Sequence, residues 1–405
     1  MKKKTIAVHI QSEVMFYSLE PLLKEFKKFP YKVDILIEKH KDDKDGWKEM
    51  SEGTVRIMKQ HGFSPKYSED FRDYTFDLCL TPYINGLVKA DCYLKYDYGS
   101  LNTKPVLTYI PAALDGFHGF LSTGIDSLEY MSVYGKTFPV DNLRFLGKKR
   151  KKNTGDKKII LFAPTYNDEY DVSENEEIIR RLKEHYYVIV KAHHGINYLK
   201  RNDGKKRSLQ SGADEYYGSE ADLIDLLMRA DVCLSGNSST IGDAIRAGVP
   251  CVVFAHDLDS FKWKNFHTTQ YELYKNGWLL KCDKAEKIKS TIDRALSDEY
   301  REKWSMLEDM LFPKKFRTGV EGYLEVIEYF LNDPAAKKYV LLHDYVSEER
   351  LNAIKKKDED IKELQKGIMI QQEAIEHYRS GKLYKVADKI YGLKGRITQL
   401  LKKDS

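Results

Sequence analysis

The sequence predicts an α/β protein: two parallel-sheet domains in series, followed by a helical tail. Three observations carry this reading. Short apolar runs alternate with amphipathic stretches from Thr5 to about residue 145. The alternation resumes at Ile159 after a basic connection, Lys148 to Lys152, with Asn-Thr-Gly behind it; a like-charge run flanked by Gly marks an exposed linker. From about Ala335 the pattern changes to a narrow seven-residue stripe in a charged background. The expected domains are 1–147, 148–334 and 335–405, and 405 residues are enough to bury two sizeable cores.

In the first domain, Thr5 to Ile10 reads as a strand, and Val14, Leu19, Leu22, Leu23 and Phe26 have helical spacing over 14–29. Val33 to Ile37 is a strand and Trp47 to Gln60 a helix, with short strands at Phe76 to Leu80 and Pro105 to Ile110. No Gly-x-Gly-x-x-Gly follows the first strand, where the loop is His9-Ile-Gln-Ser-Glu13. In the second domain the strands are Ile159 to Ala163 and Tyr187 to Lys191, and the helices are Val172 to Glu184 and Ala221 to Arg229. Two Rossmann-like halves joined by a linker enclose a cleft, the architecture called GT-B, and ligands bind in such clefts. In the tail, Ile354, Ile361, Ile368 and Ile375 recur every seven residues, as in a coiled coil or a helix packed on its own domain. From Arg379 to Ser405, eight basic residues stand against two acidic ones among apolar and aromatic residues, which suits an anionic membrane face.

Composition narrows the class. With 42% apolar and 32% charged residues the chain is globular, and no apolar run approaches the roughly twenty residues of a transmembrane helix. The apolar run after the lysines at the start is too short for a signal peptide and reads as the first strand. Five cysteines without a Cys-x-x-Cys pair read as reduced core residues of a cytoplasmic protein, not as a zinc site. A net charge of +5 with scattered lysines does not point to nucleic acid.

The chain is organised around 231–254. Val232 to Leu234 is a buried strand, followed by a polar loop of Ser235, Gly236, Asn237, Ser238 and Ser239. A helix from Thr240 to Ala247 follows, with Gly248 at its C-cap, then a strand from Cys251 to Phe254. Small hydroxyl residues at the carboxyl end of a parallel strand, before a helix, suit a phosphate or diphosphate. The plainer alternative is a capping box made by Thr240 and Asp243. Three further motifs fall at expected strand ends. Phe162-Ala-Pro-Thr165 makes a defined turn, and Lys191-Ala-His193-His194 offers a cation and imidazoles to a diphosphate. Asp115-Gly-Phe-His118-Gly could present His118 to the cleft as a general base, with Asp115 second.

Phe162-Ala-Pro-Thr, Lys191-Ala-His193 and Ala230-Asp-Val-Cys-Leu-Ser-Gly-Asn-Ser-Ser239 resemble, in order and approximate spacing, the CDP-glycerol glycerophosphotransferase family, which builds teichoic acids and related capsules. The resemblance covers 143–255. It implies that paired serines, here Ser238 and Ser239, hold the donor diphosphate, that His193 assists at the phosphates, and that a first-domain His-Gly is the base. It further implies a phosphate-binding arginine at the domain junction, where Gly147-Lys-Lys-Arg150 is similar to the family's Gly-x-Pro-Arg. Asn167 after Tyr166, His194 in place of a proline, and Gly236-Asn-Ser-Ser depart from the family pattern. The Ser-Ser-Thr-x-Gly-Asp run is also similar to capsule sugar transferases and nucleotide-sugar 2-epimerases.

The expected function is transfer of a polyol phosphate from a CDP-activated donor to a hydroxyl of a lipid-linked or polymer acceptor. The enzyme would sit at the inner membrane face through its tail, with a homodimer as a possible product of the coiled coil. A UDP-sugar transferase or epimerase is the alternative, and a non-catalytic assembly protein the third. Expected catalytic residues are His118, Asp115 and His193. Expected donor contacts are Arg150, Thr165, Lys191, His194, Ser235, Asn237, Ser238, Ser239, Thr240 and Asp243. No cofactor or metal is expected, because no Asp-x-Asp lies near a cleft motif.

Overall fold

In a computed structural model of the chain, the described residues are 3–40, 46–83, 88–101, 116–132, 135–165, 172–198, 203–236, 238–254, 269–333 and 336. The first domain runs β1 (Thr5–His9), α1 (Glu13–Phe26), β2 (Lys32–Glu38), α2 (Trp47–Gln60), β3 (Lys66–Ser68), β4 (Thr75–Phe76), β5 (Leu78–Thr81), β6 (Lys89–Ala90), β7 (Tyr93–Tyr96), β8 (Gly119–Ser122), α3 (Ile125–Ser132) and β9 (Thr137–Pro139). Among the described residues these build a seven-stranded parallel sheet, β3-β2-β1-β5-β7-β8-β9, beside a two-stranded ladder of β4 and β6.

The second domain runs β10 (Ile159–Ala163), α4 (Val172–Lys183), β11 (Tyr187–Lys191), α5 (His194–Tyr198), α6 (Asp203–Gly212), β12 (Glu215–Tyr217), α7 (Leu223–Leu227), β13 (Val232–Ser235), α8 (Thr240–Arg246), β14 (Cys251–Phe254), α9 (Thr269–Lys275), β15 (Leu280–Cys282), α10 (Ile288–Ala295) and α11 (Asp298–Leu311). Its described strands form a six-stranded parallel sheet, β12-β11-β10-β13-β14-β15. Central strands buried on both faces explain the unbroken apolar runs, such as Ile160 to Phe162 and Val232 to Leu234, all at most 1% exposed. The order of each sheet reverses once, between β1 and β5 and between β10 and β13. Ligands of open α/β sheets bind at such switch points, at the carboxyl ends of the strands.

A last described helix, α12 (Gly319–Asn332), follows the second domain but packs on the first. Tyr323, Ile327 and Phe330 share one core with Ile6, Val8, Phe16 and Leu94. The boundary expected from the sequence places this stretch with 148–334, whereas its apolar face joins the core of the first domain. All five cysteines are buried and free, and no helix among the described residues is long and apolar enough to cross a membrane. The coiled-coil and membrane-docking expectations, and the strand expected at Pro105 to Ile110, lie outside the described residues.

Candidate active site at the domain junction

The carboxyl ends of the two sheets face each other. Tyr17 of α1 donates its hydroxyl to Glu220 O at 3.0 Å, and Ser100, beyond β7, donates to Asp243 Oδ1 of α8 at 2.6 Å. A Cβ added to Gly99 would lie 3.5 Å from Ser239 Cβ, so the loop after β7 rests against the start of α8. Arg144, buried with its side chain 3% exposed, pairs at 2.9 Å with both Asp222 and Asp243. The two carboxylates hold the guanidinium charged, against the desolvation that opposes it. Asn142 adds a bond to Ser100 Oγ at 2.8 Å, which closes a polar network that ties the two domains together.

The loop between β13 and α8 is preorganised. Ser238 Oγ accepts from Thr240 N–H at 3.2 Å and donates to Thr240 Oγ1 at 3.0 Å. Ser239 occupies the N-cap position without making a side-chain capping bond. Val249 N–H reaches Ala244 O at 2.9 Å and Gly248 N–H reaches Ile245 O at 3.0 Å, while Gly248 takes φ +63°, the close of a Schellman motif. The helix is thus fixed at both ends, and its first residues stand at the switch point beside β10. There Thr165 is 4% exposed, and its hydroxyl is buried with no bonding partner.

Lys191 ends β11 at the same edge. Burial pushes its ammonium down to about 8, and Glu13 and Glu220 pull it part of the way back. Its Nζ donates to Ala192 O at 3.2 Å. His193 Nδ1 accepts from Gly195 N–H at 3.0 Å, so the neutral ring carries its proton on Nε2 and is a donor there. A lysine and an imidazole N–H at the end of β11 and serine hydroxyls after β13, the two strands flanking β10, form a cationic, polar edge suited to a diphosphate.

Several expected site residues stand elsewhere. His118 lies at the amino end of β8, where its N–H donates to Tyr93 O at 2.8 Å and its Nδ1 accepts from Tyr93 N–H at 3.2 Å. The structure therefore puts it at the sheet edge away from the junction. Arg150 donates to Leu227 O at 2.8 Å, beside Asp231 at the amino end of β13, and so is also remote from Lys191. Asp243 makes no capping box, since Ser100 and Arg144 take its two oxygens. Ser235 is fully buried and spends its hydroxyl on Ala163 O at 2.8 Å, tying β13 to β10, and Thr240 is nearly buried. Asp115, Asn237 and the side chain of His194 lie outside the described residues. Sequence reasoning missed Glu13, His9 and Arg144. Glu13 and His9 had one legible signal: they bracket the loop at the carboxyl end of the first parallel strand.

Two parallel-sheet domains with facing carboxyl edges define a GT-B-like fold. The fold is similar to a Listeria monocytogenes protein described as a UDP-N-acetylglucosamine 2-epimerase, with a TM-score of 0.55 at 13% identity over 82% of this chain and 97% of that one. It is similar also to the S. aureus MnaA–UDP co-structure, with a TM-score of 0.52 at 12% identity over 81% and 97%. The wall teichoic acid polymerase TagF gives 0.52 at 13% identity over 81% and 89%. At these identities the likeness speaks for the fold alone. No curated protein sequence matches the chain. Residues 147–311, which carry β10 through α11, match the family described as CDP-glycerol:poly(glycerophosphate) glycerophosphotransferase. The likeness to this glycerophosphotransferase family therefore lies in the second domain.

Proposed function

We propose that the enzyme transfers glycerol phosphate from CDP-glycerol to a hydroxyl of a poly(glycerophosphate)-type acceptor. The observation that carries this reading is the family match over 147–311, because that stretch holds Lys191, His193, Ser238 and Ser239 on the junction-facing edge of one sheet. Lys191 and the Nε2–H of His193 meet the negative charge of the diphosphate. Ser239 offers its hydroxyl at the start of α8, Ser238 offers one whose proton turns from Thr240 Oγ1, and Thr165 offers a buried hydroxyl without a partner. These donors stabilise the charge that builds on the bridging oxygen as cytidine monophosphate leaves. The polymer or lipid-linked nature of the acceptor and a station at the membrane rest on the basic tail, with its eight basic and two acidic residues from Arg379.

The test is donor binding by calorimetry to the full chain and to its Ser238→Ala/Ser239→Ala variant. Each hydrogen bond to a charged phosphate is worth roughly 1.5–3 kcal/mol, so affinity for CDP-glycerol should fall at least about ten-fold with an unchanged melting curve. Equal affinity in the variant would remove the serines from the donor site. A preference for a UDP-sugar over CDP-glycerol would replace the donor.

A further inference from the structure

We infer that Glu13 is the general base that takes the proton of the attacking acceptor hydroxyl. The inference rests on the function proposed above and supplies the proton acceptor that His118 cannot be from its end of the sheet. Glu13 is the first residue of α1, at the carboxyl end of β1, and is 2% exposed. Its Oε1 is buried and has no hydrogen-bond partner. Its Oε2 has a weak claim on Thr54 Oγ1 at 3.4 Å, because that hydroxyl's single proton points to Met50 O at 2.9 Å. Ser219, from the second domain, and Glu13's own backbone N–H supply two further bonds to the carboxyl.

A buried carboxylate with a bare oxygen is costly unless something else meets it. The cation it faces is Lys191, across the junction. The two attract through space, but no ion pair within 4.0 Å joins them, and the lysine's one bond goes to its neighbour's carbonyl at 3.2 Å. The cation and the base are thus both held at the junction with capacity unspent on each other. A phosphate on Lys191 and a hydroxyl on Glu13 would use both. Around Glu13 stand Lys191 of β11, Tyr198 of α5 and Tyr17 of α1, with Glu220 and Asp222 behind the lysine. Desolvation outweighs these neighbours and raises the Glu13 carboxyl above its ordinary range, which brings a carboxylate closer to the basicity a proton acceptor needs near neutrality.

The step balances within the proposed reaction. The acceptor oxygen forms a bond to the glycerol-bearing phosphorus as its O–H bond breaks. The bridging P–O bond breaks, and its electron pair leaves with cytidine monophosphate. The proton passes to Glu13, which returns it to solvent after product release.

The experiment is steady-state transfer from CDP-glycerol by the full chain over pH, for the wild type, Glu13→Gln and Glu13→Asp, with donor-induced thermal shifts alongside. Removal of a general base costs on the order of 10²–10⁴-fold in turnover. The Gln variant should therefore lose about 100-fold or more in kcat, keep its donor KM within about two-fold, and lose the acid limb of the wild-type profile. Glu13→Asp should be slower than wild type yet keep that limb, and it decides the matter if the Gln variant does not fold. A Gln variant with kcat within about two-fold of wild type, or a slowed one whose acid limb persists, overturns the role. If the wild type shows no thermal shift and no transfer with CDP-glycerol, the donor reading fails instead, which is a separate result.

Discussion

His9, at the switch point of the first sheet, carries a titration that the fold must oppose. Its Nδ1 lies 3.0 Å from Thr81 Oγ1, and that hydroxyl donates to Tyr83 O at 2.7 Å. The threonine's only proton is therefore spent, so the imidazole must donate from Nδ1 and leave Nε2 bare, buried and unpartnered. Burial lowers its pKa from 6.5 to about 4. The sign follows from where protons bind. Between pH 6.5 and 4 the unfolded chain takes up a proton that the folded chain refuses, so stability is lost as pH falls through that window. A shift of this size corresponds to about 3 kcal/mol. Glu13 acts in the opposite sense, since a carboxyl raised by folding binds its proton more readily in the folded state. Comparison of wild type with His9→Asn isolates the histidine. Urea midpoints should drop more steeply between pH 6.5 and 4 in the wild type, and parallel curves would show that the ring is not held neutral.

The element that positions the donor serines is α8, and its approach to the first domain depends on Gly242. A Cβ there would sit 2.6 Å from Leu101 Cγ and 2.8 Å from Leu101 N, closer than packed atoms allow, and a backbone atom cannot rotate away. Gly242→Ala should destabilise the protein by about 1–3 kcal/mol in urea unfolding and weaken donor binding, because Ser239 moves with the helix. Unaltered stability would mean that the loop at 97–101 yields freely. This element was the most legible part of the sequence: the expected strand, helix and strand at 232–234, 240–247 and 251–254 match Val232–Ser235, Thr240–Arg246 and Cys251–Phe254. What escaped were short strands whose apolar runs are broken by polar or small residues, such as Tyr93–Tyr96 around Lys95 and Gly119–Ser122. The sequence admits His118 either at the end of the strand expected at Pro105 to Ile110 or with a following strand, and it stands directly before Gly119–Ser122. Hydrophobic period reveals a strand but not which of its ends a neighbouring residue occupies. Arg144 escaped because its partners, Asp222 and Asp243, lie 78 and 99 residues away and only the folded junction brings them together.

At the scale of the whole molecule, α12 makes the first domain depend on chain that follows the second. Val320, Tyr323, Ile327, Phe330 and Leu331 belong to the same core as α1 and the central strands of the first sheet. Gly119 exists in part for this contact, since a Cβ on it would meet Phe330 Cζ at 2.7 Å. Tyr323 also donates its hydroxyl to Asp141 O at 3.1 Å, next to the stretch that leads into the second domain. Truncating one buried Phe to Ala costs about 3–5 kcal/mol, and removing the helix uncovers several such side chains and the sheet face beneath them. Set against a domain stability of about 5–15 kcal/mol, the loss is decisive. A chain ending at residue 147 should therefore melt without a cooperative transition and should bind a dye for exposed apolar surface. The same chain joined through a flexible linker to residues 317–336 should regain a sigmoidal melt. If the shorter chain melts cooperatively without the helix, the first domain folds by itself and α12 serves only to restrain how far the two sheets can part.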